Sequence, residues 1–355
     1  MSICSSRMMA GFHGKVDGST FSLTCRPSCA TERNLKLGRT VSMTRMLKVA
    51  AVALGLAAAA SSAMAADWMP PGPVKMIIAF RAGGGADTQA RLIAEELEAR
   101  HGWKIIPEQV TGKGGINAAL ALKDEPADGT AIAILVTETL GYNMVAAKGS
   151  GLSPSDFTGL TTTAGFQMGI VSKADSGYRT LADVFEAAKG GAKIRFGVMS
   201  PRLADLAYVV GRENGVDFNI ISVQGGKAVL DGVNAGDMDV GFMAGIQANG
   251  VAAGDLVNLA SALSAPLVQT PDAPTLDAFG VEYNADGHFV FVGPANMDAA
   301  AADAISSAIA EIVSDTGTKA GGMIKKAFGG SVVIAGDELR SLLPAVIEGG
   351  GKLLG

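Results

Sequence analysis

The sequence predicts an α/β protein of two lobes, each a mostly parallel sheet flanked by helices. Three observations carry that expectation. Short β-rich apolar runs alternate with helical stripes from residue 74 to residue 260, the rhythm of βαβ units. The roughly 290 residues that carry the rhythm and its tail exceed what one core usually holds. The end of the chain, from residue 305 to about 353, reads as helix alone, as though it returned to finish the first lobe.

Residues 74–80 make one buried strand, and Ala90, Ile93, Ala94 and Leu97 stripe a helix near 87–100. Residues 104–110 form a second strand; Ile116, Ala119 and Leu120 mark a second helix, and an Asp128-Gly129 turn leads to a strand at 131–136. The helical stripe Leu181, Val184, Phe185 and Ala188 precedes a strand at 194–198. Leu203, Leu206, Ala207 and Val210 precede another at 218–223. A helix over 227–234 leads to strands at 239–243 and 256–260, and 289–292 is a short apolar run. Ile305, Ala308, Ile309 and Ile312 open the helical tail. The chain crosses between lobes near 167–171 and again near 288–292, so lobe 1 takes 66–166 with 290–355 and lobe 2 takes 167–289. Two α/β lobes joined by two crossings make a clamshell.

The first 65 residues read differently. Met43-Thr44-Arg45-Met46-Leu47-Lys48 is a basic start, residues 49–60 are apolar without a charge, and Ala63-Met64-Ala65 has the small-x-small pattern of a cleavage site. Residues 43–65 are therefore a signal peptide cut after Ala65, with an apolar run short for a membrane span. Residues 1–42 are polar and aperiodic, either an unstructured leader or an overlong start. Cys4, Cys25 and Cys29 all lie in this stretch, so the exported protein has no disulfide framework, Cys metal site or Cys nucleophile. The chain beyond Ala65 holds 21 Lys and Arg against 32 Asp and Glu, a formal charge of −11. That balance, without a basic stripe, excludes a nucleic-acid partner.

Chemistry concentrates in two glycine-rich turns. Phe80-Arg81-Ala82-Gly83-Gly84-Gly85-Ala86-Asp87 joins the first strand to the first helix, where ligands bind in open parallel sheets. Gly83, Gly84 and Gly85 let backbone N–H groups face a ligand, and the helix start favours an anion. Asp87 either caps the helix or accepts a hydrogen bond from a ligand or water. Thr111-Gly112-Lys113-Gly114-Gly115-Ile116-Asn117 repeats the construction one unit later, so both turns can converge on one anionic group. Arg81 and Lys113 either add charge at the mouth or face water. The turns lack the G-x-G-x-x-G spacing of a dinucleotide site and the Gly-Lys-Ser/Thr of a P-loop, and no cofactor is expected.

No catalytic constellation emerges. His101 and His288 have no partner at metal spacing, and no Gly-x-Ser-x-Gly, His-Glu-x-x-His or Ser-x-x-Lys motif occurs, so neither a metal site nor an enzyme is expected. The turns also lack the aromatics that stack on sugars.

Residues 68–117 resemble the start of a Bug-type (TctC-like) solute-binding protein of the tripartite tricarboxylate transporter family. They share an early Trp followed by prolines, an apolar strand, Phe-x-x-Gly-Gly-x-x-Asp, an Ala-Arg-Leu helix and a Gly-x-Gly-Gly turn. Pro126-Ala127-Asp128-Gly129-Thr130, Thr180-Leu181-Ala182-Asp183, Asn234-Ala235-Gly236-Asp237-Met238-Asp239-Val240, Asp272-Ala273-Pro274-Thr275-Leu276 and Phe291-Val292-Gly293-Pro294 continue the likeness. The resemblance implies a type II periplasmic binding protein, monomeric, that captures a small di- or tricarboxylate or related organic acid for a large and a small membrane subunit. It places ligand contacts at Gly83, Gly84, Asp87, Gly114 and Gly115, with a pocket hydroxyl at Thr137. In lobe 2 the corresponding positions are Ser200, Gln224 and Gly225, where this chain departs from the family pattern. A periplasmic sensor that presents its closed form to a membrane signalling protein is the alternative.

Overall fold

The computed structural model describes residues 68–353; the expected leader and signal peptide and the three cysteines lie outside the described residues. β1 (Val74–Ile78) is buried on both faces. Met76 and Ile78 enter one apolar cluster and Ile77 another, the two-residue alternation of a strand covered on both sides. It pairs in parallel with β2 (Ile105–Gln109) and with β3 (Ala131–Val136). β4 (Phe157–Gly165) and β10 (His288–Pro294) complete a sheet of order β2-β1-β3-β10-β4, with β10 antiparallel to both neighbours.

The second sheet repeats this plan. β5 (Met168–Lys173), β6 (Arg195–Val198), β7 (Asn219–Ser222), β8 (Val240–Ala244) and β9 (Leu256–Ser261) run in the order β7-β6-β8-β5-β9. β5 is antiparallel to β8 and β9, while β6 is parallel to β7 and β8. In each sheet four strands share a direction, and the reversed one is the strand that receives the chain after a crossing. The chain passes from the first sheet to the second through Phe166 and Gln167 and returns before His288.

Helices cover both sheets. α1 (Gly85–His101) follows β1 and buries Ala90, Ile93, Ala94 and Leu97. It ends at Gly102, whose φ of 68° is the left-handed cap that lets its N–H reach Glu98 O. α2 (Ile116–Lys123) follows β2. After β3 the backbone makes a π-helical turn, Thr139–Asn143, that runs into a short α3 (Met144–Ala146). In the second lobe α4 (Leu181–Lys189) starts from a Thr180–Asp183 capping box. α5 (Pro201–Glu213) is capped by Ser200; α6 (Gly226–Ala235) and α7 (Ala248–Ala253) follow β7 and β8. The tail holds α8 (Ala299–Ser314), α9 (Lys319–Phe328) and α10 (Gly336–Leu353). All three pack on first-lobe elements.

β4 was not among the strands expected, because its Thr161-Thr162-Thr163 run is polar. The three side chains are buried nonetheless. Residues 332–335 lie along its edge: Thr162 N–H donates to Ile334 O, Val332 N–H donates to Thr163 O, and Thr162 Oγ1 exchanges bonds with Val332 O and Ile334 N–H. The Thr162 hydroxyl thus helps cover an edge that would otherwise invite another strand. Among the described residues no helix is long and apolar enough to cross a membrane.

Candidate functional site

Because β1, β2 and β3 are parallel neighbours, their carboxyl ends place the two glycine turns and Thr137 on one edge of the first sheet. β6, β7 and β8 do the same for Ser200, Gln224 with Gly225, and Gly245. The two edges face each other. Thr111 Oγ1 donates to Gln224 Oε1 at 2.8 Å across the gap. Gly225, at φ 85°, comes so close that a Cβ there would sit 3.4 Å from Arg81 N.

A cavity of about 60 Å³ lies between the edges, room for roughly four to six waters or one small organic acid. Its walls are mainly apolar: Phe80, Val136, Phe166, Met168, Met199, Leu203, Ile246 and Phe289. Against them stand Arg81, Glu138, Ser200 and the backbone of Gly84, Gly85 and Ala86. A few convergent polar groups in an apolar pocket is the usual make-up of a small-molecule site.

The first turn is built around Asp87. Its buried carboxylate accepts from Gly83 N–H at 2.9 Å, Arg91 Nε at 2.8 Å and Gln109 Nε2 at 3.3 Å. Gly84 N–H is taken by Arg81 O at 3.1 Å. The amides of Gly85 and Ala86, at the start of α1, have no protein acceptor among the described residues, and both residues line the cavity. An anion there meets two free donors and the positive end of a 17-residue helix.

The second turn opens elsewhere. Gly114, Gly115, Lys113, Gln224 and Gly225 line a neighbouring pocket of about 20 Å³ that shares Phe80 and Met199 with the main cavity; it has room for one or two waters. Gly115 N–H donates to Gly112 O at 3.1 Å, and Gly114 O accepts from Thr139 Oγ1 and Asn143 Nδ2. The turn needs glycine: Gly115 has φ 94°, and a Cβ would lie 2.5 Å from Thr139 Oγ1. The two turns are adjacent, yet they do not line one cavity.

Other sequence candidates are engaged in structure. Thr137 Oγ1 accepts His288 N–H at 3.0 Å, tying β3 to the returning crossing, and Thr137 does not line the cavity. Ser200 caps α5 through Leu203 N–H at 3.2 Å, which leaves its hydroxyl proton for the cavity it lines. Arg81, with its side chain 54% exposed, lies 3.9 Å from Asp231 on α6. Burial lowers the His288 imidazole and Asp286 pulls it back up, the first effect winning.

Glu138 was missed by sequence reasoning. It is 3% exposed at the head of the π-helical turn and faces the cavity. Nothing in Thr137-Glu138-Thr139 marks it, although a π turn after a strand is a common mark of functional backbone. The same turn carries Tyr142, whose hydroxyl donates to Asp205 on α5. Burial, then the hydrogen bond and charge of Asp205, push that phenol well above the ordinary tyrosine range, so it remains a donor. No group of three His, Cys, Asp or Glu among the described residues is arranged to hold a metal.

Residues 89–318 match the model of the tripartite tricarboxylate transporter family receptor. The chain belongs to that receptor family. A Cupriavidus necator protein of the gbd 5' region is 26% identical over 258 residues, 71% of this chain and 77% of that protein. BugT of Bordetella pertussis is 33% identical over 89 residues, 25% of this chain and 27% of BugT. Among solved structures, a Rhodopseudomonas palustris protein with adipate superposes with a TM-score of 0.72 at 20% identity, covering 81% of this chain and 97% of that one. MatC of the same organism, with bound malate, has a TM-score of 0.72 at 17% identity and covers 81% of this chain and all of its own. These likenesses establish the two-lobe fold of the family's periplasmic binding proteins. The chain is a solute-binding receptor of that family.

Proposed function

We propose that this receptor captures a small carboxylate outside the cytoplasm and delivers it to the large and small membrane subunits of a tripartite tricarboxylate-type transporter. The observation that carries the reading is the start of α1: Gly85 and Ala86, whose amides have no acceptor among the described residues, line an apolar cavity between the lobes, and a carboxylate is a small anion that suits N–H donors at a helix start. Adipate and malate in the two R. palustris structures support this class of ligand.

In this reading residues 66–166 with 290–355 form one lobe and 167–289 the other. The contacts Thr111–Gln224 and Tyr142–Asp205 hold the closed form that a carboxylate favours by touching both edges. The second glycine turn, with Gly114, Gly115, Gln224 and Gly225, borders the ligand from its neighbouring pocket. The protein works as a monomer in the periplasm after cleavage behind Ala65, which N-terminal sequencing of the exported protein tests.

Calorimetry against mono-, di- and tricarboxylates and amino acids is the central experiment. At least one ligand is expected to bind at micromolar Kd or tighter, about −8 kcal/mol. A complete panel without heat and without a shift in melting temperature would refute the reading.

A further inference from the structure

We propose that Glu138 makes this receptor selective for zwitterions, acids that carry an ammonium group beside the carboxylate. The inference rests on the carboxylate reading above and names the second half of the ligand.

Glu138 is a buried carboxylate aimed into a cavity that is otherwise apolar on most sides. A carboxylate has about four acceptor sites, and the protein fills few of these. Oε1 accepts one hydrogen bond, from Asn143 Nδ2 at 3.0 Å. Oε2 lies 4.0 Å from Arg202 Nη1, too far for a hydrogen bond. Arg202 is held by other acceptors: Nη1 donates to Asp286 O at 3.1 Å and Nη2 to Asn284 O at 2.8 Å. Arg202 therefore offsets the charge of Glu138 and leaves its outer oxygen without a donor among the described residues.

Water in the cavity can reach that oxygen, and a ligand that displaces the water must supply a donor in its place. A ligand ammonium supplies N–H donors and a positive charge together. The same oxygen repels a second ligand carboxylate placed beside it. Gly85, Ala86 and Glu138 line one cavity of about 60 Å³, so the anionic and cationic ends of one small molecule can reach both poles. Its carbon body then rests on Phe166, Met168 and Phe289.

Matched pairs test this by calorimetry on the purified protein: L-leucine against 4-methylpentanoate, 4-aminobutanoate against butanoate, L-aspartate against succinate. In at least one pair the amino member is expected to bind about 10–100-fold more tightly, the span of a hydrogen bond to a charged group. Glu138→Gln, of the same size without the charge, is expected to bring that ratio within about threefold. Equal or tighter binding of the des-amino members overturns the inference, as does a ratio unchanged in E138Q. Should E138Q fail to fold, the wild-type ratios decide. If di- or tricarboxylates bind and no amino acid does, the carboxylate reading stands and the role of Glu138 falls; if nothing in the whole panel binds, both fall.

Discussion

Tyr142→Phe isolates one contact that joins the lobes. The ring is fully buried on the π-helical turn of the first lobe, and its hydroxyl reaches Asp205, an exposed residue of α5 in the second. Phenylalanine keeps the ring and its packing, and water can take the vacated place at Asp205, so neither lobe is left with a buried unpaired group. A hydrogen bond to a charged group contributes about 1.5–3 kcal/mol; the exposure of Asp205 discounts this to roughly 1–1.5 kcal/mol. The contact spans the lobes, so its loss falls on the closing equilibrium. If the free protein is mainly open, apparent Kd rises about 5–12-fold. The assay is calorimetry with the tightest ligand from the panel on Y142F, D205A and the double variant. The two single losses should not add, because both remove the same bond. An affinity within twofold of wild type in Y142F, or losses that add in full, would refute the coupling of this bond to closure.

Three further outcomes are expected from the geometry. Asp239 bonds Arg195 through N, Nε and Nη2 at 2.7–3.0 Å; burial would raise its carboxyl, but the Arg195 hydrogen bonds and charge outweigh that and hold it low. A lowered folded value stabilises the fold above about pH 4 and loses that stabilisation as pH falls further, so D239N should cost about 1–2 kcal/mol at pH 7 by urea unfolding and flatten the acid limb of the stability profile. Gly115→Ala puts a Cβ 2.5 Å from Thr139 Oγ1 at φ 94°; left-handed strain and the clash should cost roughly 2–3 kcal/mol and about 5–10 °C in melting temperature, with Thr139→Ala restoring part of it. Arg81→Ala removes an ion pair at 3.9 Å between half-exposed partners, so stability should change by less than ~0.5 kcal/mol and ligand Kd by less than threefold; a larger loss of Kd would place Arg81 on the ligand.

The strand–helix rhythm was legible because each strand near the sheet centres carries an unbroken apolar run, as in Ala131–Val136, and each long helix shows its stripe, as in α1. β4 escaped because the Thr162 hydroxyl is satisfied by Val332 and Ile334, some 170 positions later, and no local pattern reports that pairing. The glycine turns were legible as backbone features. Which amides stay free was not, since Gly83 and Gly84 give theirs to Asp87 and Arg81 and the choice depends on the folded turn. Glu138 was invisible for a different reason: a single acid after a strand is usually solvated, and no local pattern reports that Arg202 of the second lobe lies 4.0 Å from it.

The crossings explain how a ligand in so small a cavity could move a whole lobe. Phe166 N–H donates to Gly287 O at 2.9 Å, so the outgoing and returning segments are bonded side by side where they pass between the sheets. Gln167 then anchors the outgoing segment within the second lobe: its carbonyl accepts from Gln247 Nε2 and its Oε1 from Val268 N–H. His288 anchors the returning segment in the first lobe through Thr137. The few residues between these anchors have the arrangement of a hinge. Phe166 lies inside that short span, and its ring also lines the cavity and packs edge-on against Phe289 at 5.2 Å. A ligand seated against Phe166 would touch a residue of that span, which would let occupancy and closure share one side chain. Phe166→Ala should therefore weaken binding and also broaden the spread of lobe angles in the free protein, which small-angle scattering would register as a larger radius of gyration; weaker binding at an unchanged radius would leave Phe166 as a wall of the cavity and nothing more.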